Sequence, residues 1–342
     1  MREDLIKIKE ISQRLLLLGL GIFLALAAVE MVLRAGIVKN KFHDRGQIAG
    51  EKSHPRAKLL ILGDSFINNW HTPDCLYQLL LKDLEPRRVQ VLNAAGGGMG
   101  PGDYLNQMRT YAPRFRPDVV LLSYYAGNDL TNVQYRVPAK NRLKKFLKPF
   151  FLKLYLYHYY EELSERLAPQ AHPYPAMEKS GIPAEAIDLA KQQKINPGFL
   201  ELSLAGKNYV LDNVLMESQE NLRAWEKIKG TLGEIDRLSK ELNARLFIVI
   251  FPHTTQVNRS HFGFYRKLRF EMDARTLSSE RPQDLVKEFC RKKAVPCLDL
   301  LPYFKKERGR EFYRADDDHL NSNGNALAER LILDFIRDSG RL

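Results

Sequence analysis

Three cysteines in 342 residues, Cys75, Cys290 and Cys297, are too few and too unevenly spaced for a disulfide framework or a zinc cage. A Cys290 to Cys297 bridge is open to the chain in an oxidising compartment; three free thiols are the other reading. No Gly-Lys-Ser/Thr occurs, so there is no P-loop, and the glycine cluster around Gly96 to Gly100 lacks G-x-G-x-x-G spacing because Pro101 stands on the third glycine position. Gly63 to Ile67 is not a G-x-S-x-G elbow, since Ile67 replaces the last glycine, which argues against an ordinary α/β-hydrolase. Zinc fingers, RNP-like segments, internal repeats and low-complexity tracts are all missing. The histidines, including His253 and His261, show no metal-ligand spacing.

With 44% hydrophobic and 27% charged residues, disorder is excluded as the main state. The formal net charge of +12 favours anionic partners such as headgroups or acidic glycans without choosing among them.

From Leu15 to Val29 the chain is uninterruptedly apolar, and the character continues through Met31, Val32 and Leu33 with only Glu30 intervening. A bilayer core needs roughly 17–25 such residues in a helix, so the segment spans if Glu30 sits near an interface. Ala25, Leu26 and Ala27 also offer a small-x-small cleavage pattern behind a basic leader, and both readings export the chain beyond this segment. Arg2, Lys7, Lys9 and Arg14 precede the segment while Arg34, Lys39, Lys41 and Arg45 come after it, so charge orients it only weakly. The expectation is a cytoplasmic leader at residues 1–14, a transmembrane signal anchor at 15–34, a stalk at 35–56 and an extracytoplasmic domain, periplasmic or extracellular, at 57–340.

That domain begins with a short apolar run, Lys58 to Leu62, closed by Gly63, the pattern of a fully buried strand. Val89 to Leu92, Val119 to Leu122 and Leu246 to Phe251 repeat it. Between them lie amphipathic patterns, the clearest being Leu222, Trp225, Ile228, Leu232, Ile235, Leu238 and Leu242 at spacings of three and four. Buried strands alternating with such helices predict an α/β domain whose parallel sheet is covered on both faces, with ligands beyond the carboxyl ends of the strands. Residues 133–215 contain no strand pattern and form an insertion. Within it Asn141 to Leu167 read as two amphipathic helices divided at Pro149, either a lid on the domain or a membrane-surface element, and residues 168–215 read as irregular.

Four clusters close the apolar runs or lie near the end of the chain: Gly63-Asp64-Ser65-Phe66; Asn93 to Gly100; Gly127-Asn128-Asp129; and Asp316-Asp317-Asp318-His319-Leu320-Asn321. Together they hold a hydroxyl nucleophile, an imidazole, carboxylates and oxyanion donors, the parts acyl transfer requires. Taken alone, Ser65 reads more readily as a helix cap, and His253 as a loop histidine or a cleft residue.

In order and spacing these clusters resemble the four blocks of the SGNH (GDSL-like) serine hydrolase superfamily over residues 57–340. The resemblance implies a three-layer α/β/α, flavodoxin-like fold with a short parallel sheet of about five strands. It implies Ser65 as nucleophile, Asp316 and His319 as the Asp-x-x-His pair, and Ser65 N–H, Gly98 N–H and the Asn128 amide as oxyanion donors, with no cofactor and no metal. Asp317 and Asp318 are then solvated or loop-capping. One departure is that Ala126 stands where the third block usually has glycine, with Gly127 at its variable position. The expected activity is esterase chemistry on a cell-surface glycan or lipid ester, with no nucleic-acid partner. An O-acyltransferase using the same triad and a catalytically silent polysaccharide-binding protein are the alternatives.

Overall fold

The computed structural model describes residues 2–34, 48–50, 54–68, 74–134, 178–179, 181–192, 194–195, 197–307, 309–315 and 317–337. The elements are α1 (Arg2–Arg34), β1 (Ile48–Ala49), β2 (Ala57–Leu62), α2 (Leu76–Leu84), β3 (Val89–Asn93), α3 (Pro101–Phe115), β4 (Val119–Tyr125) and α4 (Thr131–Gln134). They continue with α5 (Ala184–Lys191), α6 (Pro197–Ala205), α7 (Tyr209–Val214), α8 (Gln219–Glu241), β5 (Arg245–Phe251), α9 (Thr254–Val257) and α10 (Arg259–Lys267). The chain closes with α11 (Arg281–Lys293), β6 (Cys297–Asp299), α12 (Leu301–Lys306) and α13 (Ser322–Arg337). Contacts divide the chain into two units, one holding α1 and the other the remaining elements.

In the first unit, α1 carries Leu16–Leu33, a window of mean hydropathy 2.5, long and apolar enough to cross a membrane. Leu16, Leu17, Phe23 and Met31 are each more than half exposed on it. Large apolar side chains presented together in this way mark a surface that something apolar covers.

In the second unit the sheet order is β1-β3-β2-β4-β5-β6, and every pair except β1 with β3 is parallel. Without the short antiparallel edge, the five parallel strands have the 2-1-3-4-5 order of the flavodoxin-like doubly wound sheet. β3 and β4 are buried at every position because both faces are covered. Their period-2 alternation sorts side chains between two layers. Leu59, Ile61, Val119, Leu121, Phe247 and Val249 face α2 and α13, whereas Leu60, Leu62, Val120, Leu122, Ile248 and Ile250 face α3, α8 and α11. Each fully buried Val, Leu or Ile stabilises by ~1.5–3 kcal/mol, so covering one face alone would forfeit half of that gain. The period-3.6 stripe predicted for α8 supplies Trp225, Ile228, Leu232 and Ile235 to the second layer, and Ser218 caps the helix by accepting from Asn221 N–H at 3.0 Å.

A third apolar cluster, with Ile187, Leu200, Val210 and Tyr265, packs α5, α6 and α7 against α10. Residues 168–215, read from sequence as irregular, thus carry three helices in their described part. Asn213 of α7 ties this cluster to the start of α4: its Oδ1 accepts from Thr131 N–H at 3.2 Å and its Nδ2 donates to Thr131 Oγ1 at 3.0 Å. The helices predicted over Asn141 to Leu167 lie outside the described residues.

One boundary changes. The stalk at 35–56 is too long, because Ile48 and Ala49 pair with Leu92 and Val91 as an edge strand. Gly50 turns the chain away at φ +90, where a Cβ would lie 2.5 Å from Val89 O. Of the two readings open for the cysteines, the thiol one holds: Cys75, Cys290 and Cys297 form no disulfide, and the Cys297 thiol is pushed up by its hydrogen bond with Cys290 and by burial.

Gly63 ends β2 where a Cβ would come 2.8 Å from Ser123 Cβ on β4. Gly63→Ala therefore lowers the denaturant midpoint by the equivalent of about 1–3 kcal/mol with an unchanged m-value. A midpoint equal to wild type would show that the two strand ends are not in close contact.

Candidate active site

The strand registers bring the carboxyl ends of β2, β3 and β4 side by side: Ile61 is opposite Asn93, and Leu62 opposite Leu122. Three loops leave this edge; the first two are tied together through their backbones, and the third is tied to the end of β5. Ala94 N–H donates to Ile61 O at 2.9 Å, Gly96 N–H to Gly63 O at 3.2 Å, and Ala126 N–H to Phe251 O at 2.9 Å.

On the first loop, Asp64 is fully buried. Its Oδ1 accepts from Phe66 N–H at 3.0 Å and its Oδ2 from the Asn128 side-chain amide at 3.2 Å. Burial raises the Asp64 carboxyl, with the Phe66 N–H and the nearby His319 acting against that rise. Residues 65–67 form a turn and the next described helix starts only at Leu76, so Ser65 is not a helix cap. Its Oγ lies 2.7 Å from His319 Nε2 instead.

His319 stands just before α13. Asn321 Oδ1 caps that helix by accepting from Gly324 N–H at 3.0 Å, while its Nδ2 donates to Tyr313 O at 3.1 Å. Gly324 is required here, because a Cβ would meet Phe312 O at 2.2 Å. The imidazole stacks on Phe66, with centroids 5.6 Å apart. Its Nδ1 lies 2.5 Å from Asp317 Oδ1, which also accepts from His319 N–H at 3.0 Å. Asp317 does cap the loop through the His319 N–H, but the reading of Asp317 and Asp318 as solvated is corrected, since both are buried and face the ring. The pairing is Asp-x-His: in the bend at 317–319, a two-residue offset folds the carboxylate back over both the backbone N–H and the ring of His319. Asp316, assigned by the Asp-x-x-His spacing, lies outside the described residues.

Burial disfavours charge on both members of the pair, but their mutual hydrogen bond and opposite charges prevail. Asp317 is held well below the usual carboxylate range, and His319 is raised to about 9. Asp318 accepts from the Tyr125 hydroxyl at 3.0 Å and is pushed by burial to about 7.

Asn128 Nδ2 donates one hydrogen to Asp64 and has a second to offer. Gly127 explains the shifted glycine of this loop: a Cβ there would lie 2.2 Å from the Tyr125 ring, which curls beneath it, whereas Ala126 fits in the core. Asp129, raised well above its ordinary value by burial, closes the loop by accepting from Tyr125 N–H at 3.0 Å and from the Tyr104 hydroxyl at 2.8 Å. Gly98 sits exposed at φ +67 with open space around it, and neither its N–H nor that of Ser65 has a hydrogen-bond partner among the described residues. Thus Ser65 and Asp317 each contact His319, Asn128 reaches the loop of Ser65 through Asp64, and Gly98 is tied to it through Gly96. Nothing in the sequence pointed to Tyr125, whereas a carboxylate next to Ser65 was visible as Asp64 without a role. Among the described residues, Asp317, Asp318 and His319 are the one group with donor atoms close enough for a cation, within 4.8 Å, and those atoms are engaged with one another, Tyr125 and Ser65.

His253 lies in the loop after β5, as one reading had it, and does not line a cleft. It is fully buried, caps α9 by accepting from Thr255 N–H at 3.2 Å, and stacks between Tyr125 and Tyr265. Burial lowers it to about 3 and the buried His261 to about 4.

No family model matches the chain, and no curated protein matches it. Among solved structures it is similar to a GDSL-like lipase from Bacteroides thetaiotaomicron, at 10% identity and TM-score 0.42 over 83% of this chain and 89% of that one. It is also similar to a lipase/acylhydrolase from Enterococcus faecalis, at 13% identity and TM-score 0.43 over 83% and 96%. A third is a catalytic mutant of an acetylxylan esterase from Geobacillus stearothermophilus, at 12% identity and TM-score 0.44 over 84% and 96%.

The two lowered histidines make acid destabilising. Below about pH 6.5 the unfolded chain takes up protons that the folded one refuses, so stability falls as pH drops toward 4, by up to ~1.4 kcal/mol per pH unit for each histidine. His253→Asn, which keeps a capping oxygen, flattens the slope of unfolding free energy against pH between 6.5 and 4. An unchanged slope would mean that His253 is not held neutral.

Proposed function

We propose that the chain is a serine esterase that forms an acyl-enzyme on Ser65. The observation that carries this reading is the 2.7 Å approach of Ser65 Oγ to His319 Nε2, with Nδ1 of the same ring engaged by Asp317. An imidazole has one Nδ1 position. A carboxylate there fixes the tautomer that leaves Nε2 able to take the Ser65 proton, the role that the Asp-x-x-His spacing gives to Asp316.

The groups present dictate the steps. His319 Nε2 removes the Ser65 hydroxyl proton as Oγ attacks an ester carbonyl. Ser65 N–H, Gly98 N–H and the second hydrogen of the Asn128 amide receive the developing oxyanion, with Asp64 keeping that amide aimed. The imidazolium then returns its proton to the departing alkoxide, leaving the acyl group on Ser65. Water, activated in the same way, completes hydrolysis; a hydroxyl of a second substrate in its place makes the reaction a transfer.

The acyl ester is placed on a cell-surface glycan or lipid, with the enzyme held at the membrane by residues 15–34 and its α/β domain outside the cytoplasm. The exposed apolar face of α1 and the basic surface support this placement.

Fluorophosphonate labels the folded chain and fails to label Ser65→Ala; labelling that persists in the variant removes Ser65 as nucleophile. Asn128→Ala lowers kcat by roughly 10²–10³-fold with little change in KM, as loss of one oxyanion donor does. Because His319 is a base only when neutral, kcat/KM climbs with pH toward a midpoint near 9. In cells, Ser65→Ala alters the acyl content of surface polysaccharide; unchanged content would exclude the glycan substrate.

A further inference from the structure

We infer that Asp318 is a positioning residue for His319: anchored by the Tyr125 hydroxyl, it stands as a second carboxylate behind Asp317 and governs how firmly the imidazole holds its proton. This inference rests on the proposed role of His319 as base.

The geometry separates the two carboxylates by function. Asp317 takes the Nδ1 hydrogen bond, whereas Asp318 Oδ1 lies 3.5 Å from the same nitrogen, too far to compete for the hydrogen but close enough to act on the charge. The other Asp318 oxygen accepts from Tyr125 at 3.0 Å. Tyr125 cannot drift, because its ring lies 4.0 Å from Phe66, centroid to centroid, and directly beneath Gly127. Asp318 is therefore fixed to the same two loops that carry Ser65 and Asn128, and its distance to His319 is set by the body of the site.

Its surroundings leave it dependent on that imidazole. Tyr125, Tyr209, Tyr265 and Tyr313, all buried, feel its charge, and Asp317 lies beside it. His253 is stacked between Tyr125 and Tyr265 and is held neutral, as is His261, which faces Asp317. Asp64 also acts on the His319 charge. Among the described residues no Lys or Arg forms an ion pair with Asp318, so the His319 ring is its one cationic neighbour. A buried carboxyl so placed ionises only against an imidazolium. While Asp318 is protonated, His319 faces the single negative charge of Asp317. Once Asp318 ionises it faces two, and its proton is released only at higher pH. Two carboxylates on one imidazole thus make a stronger base that becomes available later in the pH range.

The test is an NMR titration of the His319 ring nitrogens in the detergent-solubilised full chain, read for wild type, Asp318→Asn and Tyr125→Phe, beside the pH profile of p-nitrophenyl acetate hydrolysis. Asp318→Asn lowers the His319 midpoint by roughly 1 pH unit and moves the acid limb of kcat/KM by the same amount, with KM unchanged. Tyr125→Phe removes the donor that stabilises the Asp318 carboxylate, so it shifts the midpoint in the same direction by less. A midpoint unmoved in both variants, with Ser65-dependent hydrolysis intact, overturns the role of Asp318 alone. A shifted midpoint in a chain without Ser65-dependent hydrolysis supports the coupling and overturns the esterase reading instead, because the titration is read without turnover.

Discussion

The Ser65–His319 contact joins residues 254 positions apart, and much of the second unit's architecture serves to make it. A hydroxyl surrenders its proton only to a base held within hydrogen-bond reach, so two loops from opposite ends of the chain must meet with small tolerance. The parallel sheet supplies that tolerance. β2 delivers Ser65 from its carboxyl end, and α13, packed on the same layer through Leu327, Ile332 and Ile336, delivers His319 through the turn that Asn321 caps. Phe66 then fills the space between them, touching the His319 ring on one side and Tyr125 on the other.

Acidic groups are concentrated behind this contact. Asp64, Asp129, Asp317 and Asp318 are all buried, an arrangement that would cost several kcal/mol per charge if each were ionised without a partner. The structure resolves this by giving each a different environment. Asp317 has the imidazole, Asp64 has the Phe66 N–H and the Asn128 amide, Asp129 has Tyr104 and a backbone N–H, and Asp318 has Tyr125. The pulls of Asp317, Asp318 and Asp64 on His319 add in one direction and raise it, whereas burial prevails at His253 and also at His261, where it outweighs the pull of Asp317, and both are held neutral. The same burial therefore yields a strong base at one histidine and structural rings at two others.

Much of the fold was legible because buried parallel strands announce themselves as short apolar runs. Lys58 to Leu62, Val89 to Leu92, Val119 to Leu122 and Leu246 to Phe251 all lie within strands, and the stripe from Leu222 to Leu242 lies on α8 apart from its last residue, the C-cap. Ile48 and Ala49 were not legible, since a two-residue edge strand has no periodicity and is defined by its partner β3. At the site, the residue types of the four clusters were readable, but not that Asp317 takes the His319 Nδ1 hydrogen bond while Asp318 stands behind it. The bend at 317–319 brings the Asp317 carboxylate, two residues before the histidine, to Nδ1. Tyr125 carried no signal at all, because its value lies in a contact with Asp318 at the other end of the chain.

The central claim, that this pocket takes an acyl group onto Ser65, is tested most directly by trapping the intermediate. The full chain is mixed with an activated acetyl ester, quenched in acid within milliseconds and digested for peptide mass spectrometry. The account predicts an acetyl adduct on the peptide containing Ser65, formed rapidly in wild type and abolished in His319→Ala. An adduct on another residue, or turnover of the ester with Ser65 never modified, would contradict it.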